Sequence, residues 1–225
     1  MIIFTDVKHL LILPLLFLLS CKGDVTPPTI PATCYDSVYA AGDSFTAFIG
    51  YGYVSYPEYL QDSLKIPIFN GGISGQTSTQ IADRYLKRDS YINSPVILWL
   101  GANNNWHSST IKADIRRMIG DNPNYWVLEI MSGSLPERWK GTDYYEHNIQ
   151  LNNELAAEHG EHFVWIKSEL QKYMTTAQDS IDVIEHDGVP TSMRSDWLHH
   201  NNLANQKIAA LLAEKLNCRS KSGKE

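Results

Sequence analysis

Short apolar runs alternate along this chain with longer stretches whose apolar residues recur at helical spacing. Val38-Tyr-Ala-Ala41 is one such run and stops at Gly42. Pro95-Val-Ile-Leu-Trp-Leu100 is apolar throughout, as expected of a parallel strand covered on both faces. Tyr125 to Ile130 and Phe163 to Ile166 read the same way, and Ile66 to Asn70 reads as an edge strand because it contains Pro67. Between these runs the spacing predicts helices. Pro57 to Leu64 has a proline in its first turn, and Thr77 to Arg88 opens on hydroxyl residues suited to an N-cap. Ser109 to Ile119 carries Ile111, Ile115, Met118 and Ile119 at helical spacing, and Tyr144 to His159 stops at Gly160. Asn202 to Leu216 places Leu203, Ile208, Leu212 and Leu216 along one face. Strand and helix alternate about five times, which argues for an α/β three-layer sandwich around a central parallel sheet of about five strands. Open sheets of this kind gather ligands at the carboxyl ends of their strands. The segments to watch are therefore Gly42 to Thr46, Asn70 to Ser78 and Gly101 to Asn104, all rich in Gly, Ser and Asn.

The N-terminus departs from this pattern. Leu10 to Leu19 is an almost unbroken apolar run of ten residues. A bilayer span takes about 20, so the run suits the apolar region of a signal peptide. Lys8 and His9 precede it, with Asp6 weakening the usual positive start. It ends in Leu18-Leu19-Ser20-Cys21, which resembles the bacterial lipobox and marks Cys21 for lipidation, with a plain secretory signal and an incidental cysteine as the alternative. The expected organisation is a signal peptide over 1–20, a proline-rich tether over 21–34, one folded domain over 35–218 and a disordered tail over 219–225. Such a chain would be extracytoplasmic, anchored to a bacterial membrane by acyl chains and not by a spanning helix. Cys34 and Cys218 flank the domain and could form a disulfide in an oxidising compartment, with two free thiols as the alternative. The formal net charge is −6 and no dense basic run precedes the short tail, so nucleic acid is not an expected partner.

The candidate chemistry lies at the strand ends. Ser44 follows a strand and a glycine whose backbone freedom suits a tight strand-to-helix turn. A serine hydroxyl is a weak nucleophile that needs a neighbouring base. Asp196 and His199, before the last helix, are three residues apart, which in a helical turn puts both on one face. The carboxylate can then fix the imidazole tautomer and leave Nε2 free to take a proton. Gly75 can offer a backbone N–H and Asn103 a side-chain amide to a developing oxyanion, together with the N–H of Ser44. Singly, Ser44 reads as a helix N-cap after a tight turn, Gly75 as a turn glycine, Asn103 as a loop cap, and Asp196 with His199 as an Asp N-cap beside a surface His. Four segments in one order are harder to set aside.

That order resembles the SGNH (GDSL-type) hydrolases. Gly42-Asp43-Ser44 is similar to their first block and Asn70-Gly71-Gly72-Ile73-Ser74-Gly75-Gln76-Thr77 to the second. Leu100-Gly101-Ala102-Asn103-Asn104 resembles the third, and Asp196-Trp197-Leu198-His199 matches the Asp-x-x-His of the last. The resemblance runs from about Tyr35 to Cys218. It implies an esterase with Ser44 as nucleophile, His199 as base, Asp196 as its orienter, and Ser44, Gly75 and Asn103 as the oxyanion hole. It implies no cofactor, a small-molecule or glycan ester as partner and a monomer. One departure stands out: Asn104 occupies the place of the family's usual Asp, which puts in doubt how the Asn103 loop is held. An acyltransferase with the same triad, or a non-catalytic glycan- or envelope-binding lipoprotein, are the alternatives. The extracytoplasmic location and the short Ile49-Gly-Tyr-Gly52 loop lean the substrate towards acetylated carbohydrate.

Other residues carry less. His147, His159, His162, His186 and His200 invite a metal reading, but Glu158-His-Gly-Glu-His162 lacks the i, i+4 His pair of a zincin and Gly160 ends its helix. No metal site is expected. His200 rivals His199 as base at a spacing that fits less well. Tyr51, Tyr53, Tyr56 and Trp139 are expected mostly to pack, whereas Trp106 and Trp197 adjoin the candidate loops and could meet a sugar face.

Overall fold

The computed structural model describes residues 35–47, 52–88 and 94–217. The signal, tether and tail segments, Cys21, Cys34, Cys218 and Ile49 to Tyr51 lie outside the described residues.

Among the described residues five parallel strands form one sheet in the order β2-β1-β3-β4-β5: β1 (Val38–Gly42), β2 (Ile68–Gly72), β3 (Val96–Trp99), β4 (Tyr125–Leu128) and β5 (Phe163–Val164). Among the described residues seven helices pack around them: α1 (Tyr56–Leu64), α2 (Ser78–Leu86), α3 (Ser108–Ile119), α4 (Asp143–His159), α5 (Lys167–Leu170), α6 (Ala177–Ile184) and α7 (Asn202–Leu216). Alternate strand residues feed two cores. Val38, Ala40, Ile97 and Trp99 face α1 and α7 through Leu60, Leu64, Ile208 and Leu212. Tyr39, Ala41, Val96 and Leu98 face α2, α3 and α4 through Ile81, Ile111, Ile115 and Leu151. Burial of each large aliphatic side chain contributes roughly 1.5–3 kcal/mol. This explains why strands covered on both faces have no polar alternation to show.

Element ends shift where the backbone finds another partner. β2 starts after Pro67, whose carbonyl accepts from Val38 N at 3.0 Å. β4 stops at Leu128 because Ile130 N donates to Asn152 Oδ1 at 2.8 Å. β5 stops at Val164 because Ile166 N and Lys167 N donate to Glu129 Oε2, at 2.8 and 2.7 Å. α2 begins in a capping box between Thr77 and Gln80, and α4 ends at Gly160 with φ +56°.

Candidate active site

β1 delivers the chain into a tight turn. Thr46 N and Ala47 N donate to Asp43 O at 3.2 and 2.9 Å, and Phe45 N donates to Asp43 Oδ1 at 3.0 Å. The turn buries Asp43 and leaves Ser44 partly exposed. The described part of the turn, through Ala47, is not helical, and among the described residues the next helix is α1 at Tyr56. Gly42 is required here for closeness and not for a special φ. An added Cβ would lie 2.1 Å from Thr46 Oγ1 and 2.6 Å from Trp99 O. Burial pushes the Asp43 carboxyl up to about 6, against the opposing pull of the Phe45 N–H and of His199.

His199 meets Ser44 from a loop closed at its base by the antiparallel bridge Arg194–His200. Ser195 N donates to His199 O at 2.9 Å, and Asn201 N to Met193 O at 3.0 Å. Asp196 Oδ1 accepts the N–H groups of Leu198 and His199, both at 2.7 Å. The Asp196–His199 spacing thus works through a carboxylate-capped loop and not through a helical turn. Nδ1 of His199 lies 2.9 Å from Asp196 Oδ2, and Nε2 lies 3.0 Å from Ser44 Oγ. Burial raises the Asp196 pKa, but the His199 backbone and ring and the Leu198 N–H outweigh it, leaving the carboxyl below its ordinary value. His200 points the other way. It is buried on Trp99, with ring centroids 5.6 Å apart. Burial, then the charge of His199, pull its pKa down to about 3. His200 is therefore a neutral core residue at neutral pH.

The segment that carries this loop is braced by α6. Asp179 Oδ1 accepts from Ser192 N at 2.8 Å. Asp182 Oδ2 accepts from Thr191 N at 2.7 Å, Thr191 Oγ1 at 2.6 Å and Arg194 Nη2 at 2.8 Å. Sequence reasoning missed α6, both carboxylates, and Asp43 as a functional neighbour. The Thr176-x-x-Asp179 capping pattern was the available signal.

The second and third blocks close the opposite side. Gly75 takes φ +78°, where a side chain would be strained. Among the described residues, the N–H groups of Ser44 and Gly75 have no protein acceptor. Asn103 Nδ2 donates to Gln76 O at 3.0 Å and to Asp43 Oδ2 at 3.3 Å, so the amide sits directly beside the Ser44 turn. Asn104 answers how its loop is held. Its Oδ1 accepts from Ser78 N at 3.0 Å, and its Nδ2 donates to Ser78 Oγ at 2.9 Å. Ser78 Oγ in turn donates to the buried Asp114 at 2.7 Å. With Asp114 taking the Ser78 proton, an amide at 104 supplies the donor that a carboxylate would lack.

A serine hydroxyl, an imidazole and a carboxylate in line can activate an oxygen nucleophile, and backbone N–H groups without a protein acceptor, as at Ser44 and Gly75 among the described residues, can receive negative charge. Residues 40–207 match the family model of the GDSL-like lipase/acylhydrolases. The chain belongs to this GDSL-like family. No curated protein matches the sequence. Solved structures resemble it at low identity. A lipase/acylhydrolase from Enterococcus faecalis has TM-score 0.61 and 16% identity, covering 81% of this chain and 96% of its own. An acetylxylan esterase from Geobacillus stearothermophilus has TM-score 0.60 and 14% identity, covering 83% and 96%. A second acetyl xylan esterase has TM-score 0.60 and 16% identity, covering 80% and 99%. At these identities the likeness establishes the shared fold.

The remaining candidates are dispersed in this GDSL-like domain. His147 packs on Trp106 (centroids 4.5 Å apart), His159 and His162 both contact Tyr125, and His186 stacks on Trp139 at 3.7 Å. Tyr56 is core, whereas Trp106 and Trp197 are 56% and 43% exposed.

Proposed function

We propose that this family member is a serine esterase, hydrolysing carboxylic esters through an acyl-enzyme on Ser44, with acetylated carbohydrate as its substrate class. The observation that carries the reading is the unbroken line from Asp196 Oδ2 through His199 to Ser44 Oγ, with contacts of 2.9 and 3.0 Å. Ser44 Oγ attacks the ester carbonyl carbon while its proton passes to His199 Nε2. Asp196 holds the tautomer and stabilises the imidazolium. The carbonyl oxygen, now an anion, is met by the N–H groups of Ser44 and Gly75. It also meets the Asn103 hydrogen that rests on Asp43 through the longer, 3.3 Å contact. The departing alcohol takes the proton from His199. Water then attacks the acyl-enzyme, its proton returning through His199 as the acid leaves and the Ser44 hydroxyl is restored. The carbohydrate preference draws support from the two neighbours described as acetylxylan esterases and from the signal-peptide-like N-terminus.

The same proposal places the domain outside the cytoplasm as a monomer. It is tethered through lipidated Cys21 and has a Cys34–Cys218 bridge. The test of the central reading is hydrolysis of p-nitrophenyl acetate by wild type and by Ser44→Ala. A fall of at least about 10³-fold is expected, and equal rates in both proteins would sink the reading.

A further inference from the structure

A run of ring faces borders the candidate site on its β3–β4 side. It starts at Trp197, which follows Asp196 directly and whose backbone oxygen accepts from Ser134 N at 2.7 Å. The Trp197 ring packs against Gly133: a Cβ added there would lie 3.2 Å from the indole. The Arg138 guanidinium lies 5.0 Å from the Trp197 ring centroid and 4.6 Å from that of Tyr144. Tyr144 meets Trp106 edge-on at 5.6 Å. Trp106 rests on His147, whose Nε2 is anchored on Asn105 O at 3.0 Å, and so stands three residues beyond Asn103. The arc therefore runs from the loop bearing Asp196 and His199 to the loop bearing Asn103.

Its composition selects an occupant. The two exposed indoles are joined through Tyr144 and Arg138 into one contiguous patch, the kind of exposed surface that marks a ligand or partner site, and each is fixed by a partner at its back or edge. Arg138 Nη1 donates to Ser132 O at 2.8 Å. Among the described residues its Nε and Nη2 take no protein acceptor. An alkyl chain laid across the arc would cover those N–H groups without satisfying them, at a desolvation cost. A pyranose ring offers C–H faces to the indoles and equatorial hydroxyls to the guanidinium, so both halves of the arc are satisfied together. We infer that Trp106, Tyr144, Arg138 and Trp197 form a subsite for the sugar part of an acetylated pyranose oligosaccharide. This rests on the esterase reading and names the alcohol side of its substrate.

The test compares wild type, Trp106→Ala and Trp106→Phe on chemically acetylated xylo-oligosaccharide, p-nitrophenyl acetate and p-nitrophenyl octanoate. Tryptophan fluorescence titration with the deacetylated oligosaccharide runs beside it. Trp106→Ala is expected to lower the ratio of kcat/KM on acetylated oligosaccharide to that on p-nitrophenyl acetate about tenfold, equivalent to ~1.4 kcal/mol. It should also weaken the titration, while Trp106→Phe retains most of both. An unchanged ratio with unchanged binding overturns the subsite, as does a loss confined to the octanoate, which would make the arc an acyl-chain wall. A wild type that hydrolyses p-nitrophenyl acetate yet neither binds nor deacetylates the oligosaccharide also overturns it, leaving Ser44 chemistry intact. Trp106-dependent binding by a protein inert on every ester supports the subsite and overturns the esterase.

Discussion

Asp43 is buried in the turn that carries Ser44, far from the solvated environment ordinary for a carboxyl. Its carboxyl is 1% exposed and burial lifts it from 3.8 to about 6. A group raised on folding favours its protonated form in the native state. The stability this contributes is complete below 3.8 and is lost as the pH rises through about 6. The cost of the ionised carboxylate at pH 7.5 is about 3 kcal/mol. His200 has the opposite slope: depressed from 6.5 to about 3, it contributes stability that is present above 6.5 and lost as the pH falls towards 3. The two oppose each other in wild type between pH 4 and pH 6, so a variant is needed to separate them. Asp43→Asn is expected to raise the Tm at pH 7.5, the gain shrinking steadily as thermal melts are repeated down to pH 5. A difference independent of pH would show that Asp43 titrates normally. The same variant should lose about tenfold in esterase activity. A neutral amide holds Asn103 Nδ2 less well than the carboxylate now 3.3 Å away.

At the scale of elements, what was legible depended on which face each element buries. β1, β3, β4 and β5 are largely buried apolar runs and were readable as such, β2 is an edge strand that exposes Asn70, and the long helices show apolar stripes. α6 inverts that rule. Its buried residues are Asp179 and Asp182, while Ile181 and Ile184 are 38% and 70% exposed. No hydrophobic period could reveal a helix whose inward face is acidic. Likewise the residue types at Ser44, Gly75, Asn103, Asp196 and His199 were legible because each follows a strand or precedes α7. The loop that presents His199 was not, because its shape comes from hydrogen bonds made to α6. This gives α6 a positional role that can be measured. Asp182 sits below its ordinary pKa: burial raises it, but Thr191, Gln178 and Arg194 outweigh that. Asp182→Asn removes the ion pair with Arg194, whose side chains are 10% and 14% exposed, and weakens two further acceptor contacts. A loss of roughly 2–3 kcal/mol in urea unfolding is expected. Under fully folded conditions kcat should fall several-fold with KM little changed. Unaltered kcat in the folded variant would show that the His199 loop holds its shape without this brace.

The whole molecule adds a constraint that neither residues nor elements supply. β1 and α7 carry the two ends of the domain into one core: Tyr35 packs against the cluster that contains Val38, Leu212 and Leu216. α7 also pairs most closely with α1, and Asn202 and Asn205 hold the backbone of Gly52 and Val54. A bridge between Cys34 and Cys218 would close a loop spanning nearly the entire domain. Such a closure restricts the unfolded chain by about 5 kcal/mol, on the order of 10 °C in Tm for a domain of this size. Intact-mass measurement on protein extracted from the membranes of an expressing bacterium reads both ends together. An N-terminus at an acylated Cys21, with the chain lighter by two hydrogens than its reduced form, is expected, and reduction should lower the Tm by the stated order. Free thiols that alkylate without prior reduction would remove the bridge while leaving the anchor standing. A mature chain that starts elsewhere than Cys21, without acyl mass, would remove the anchor while leaving the bridge to be judged by its own mass difference.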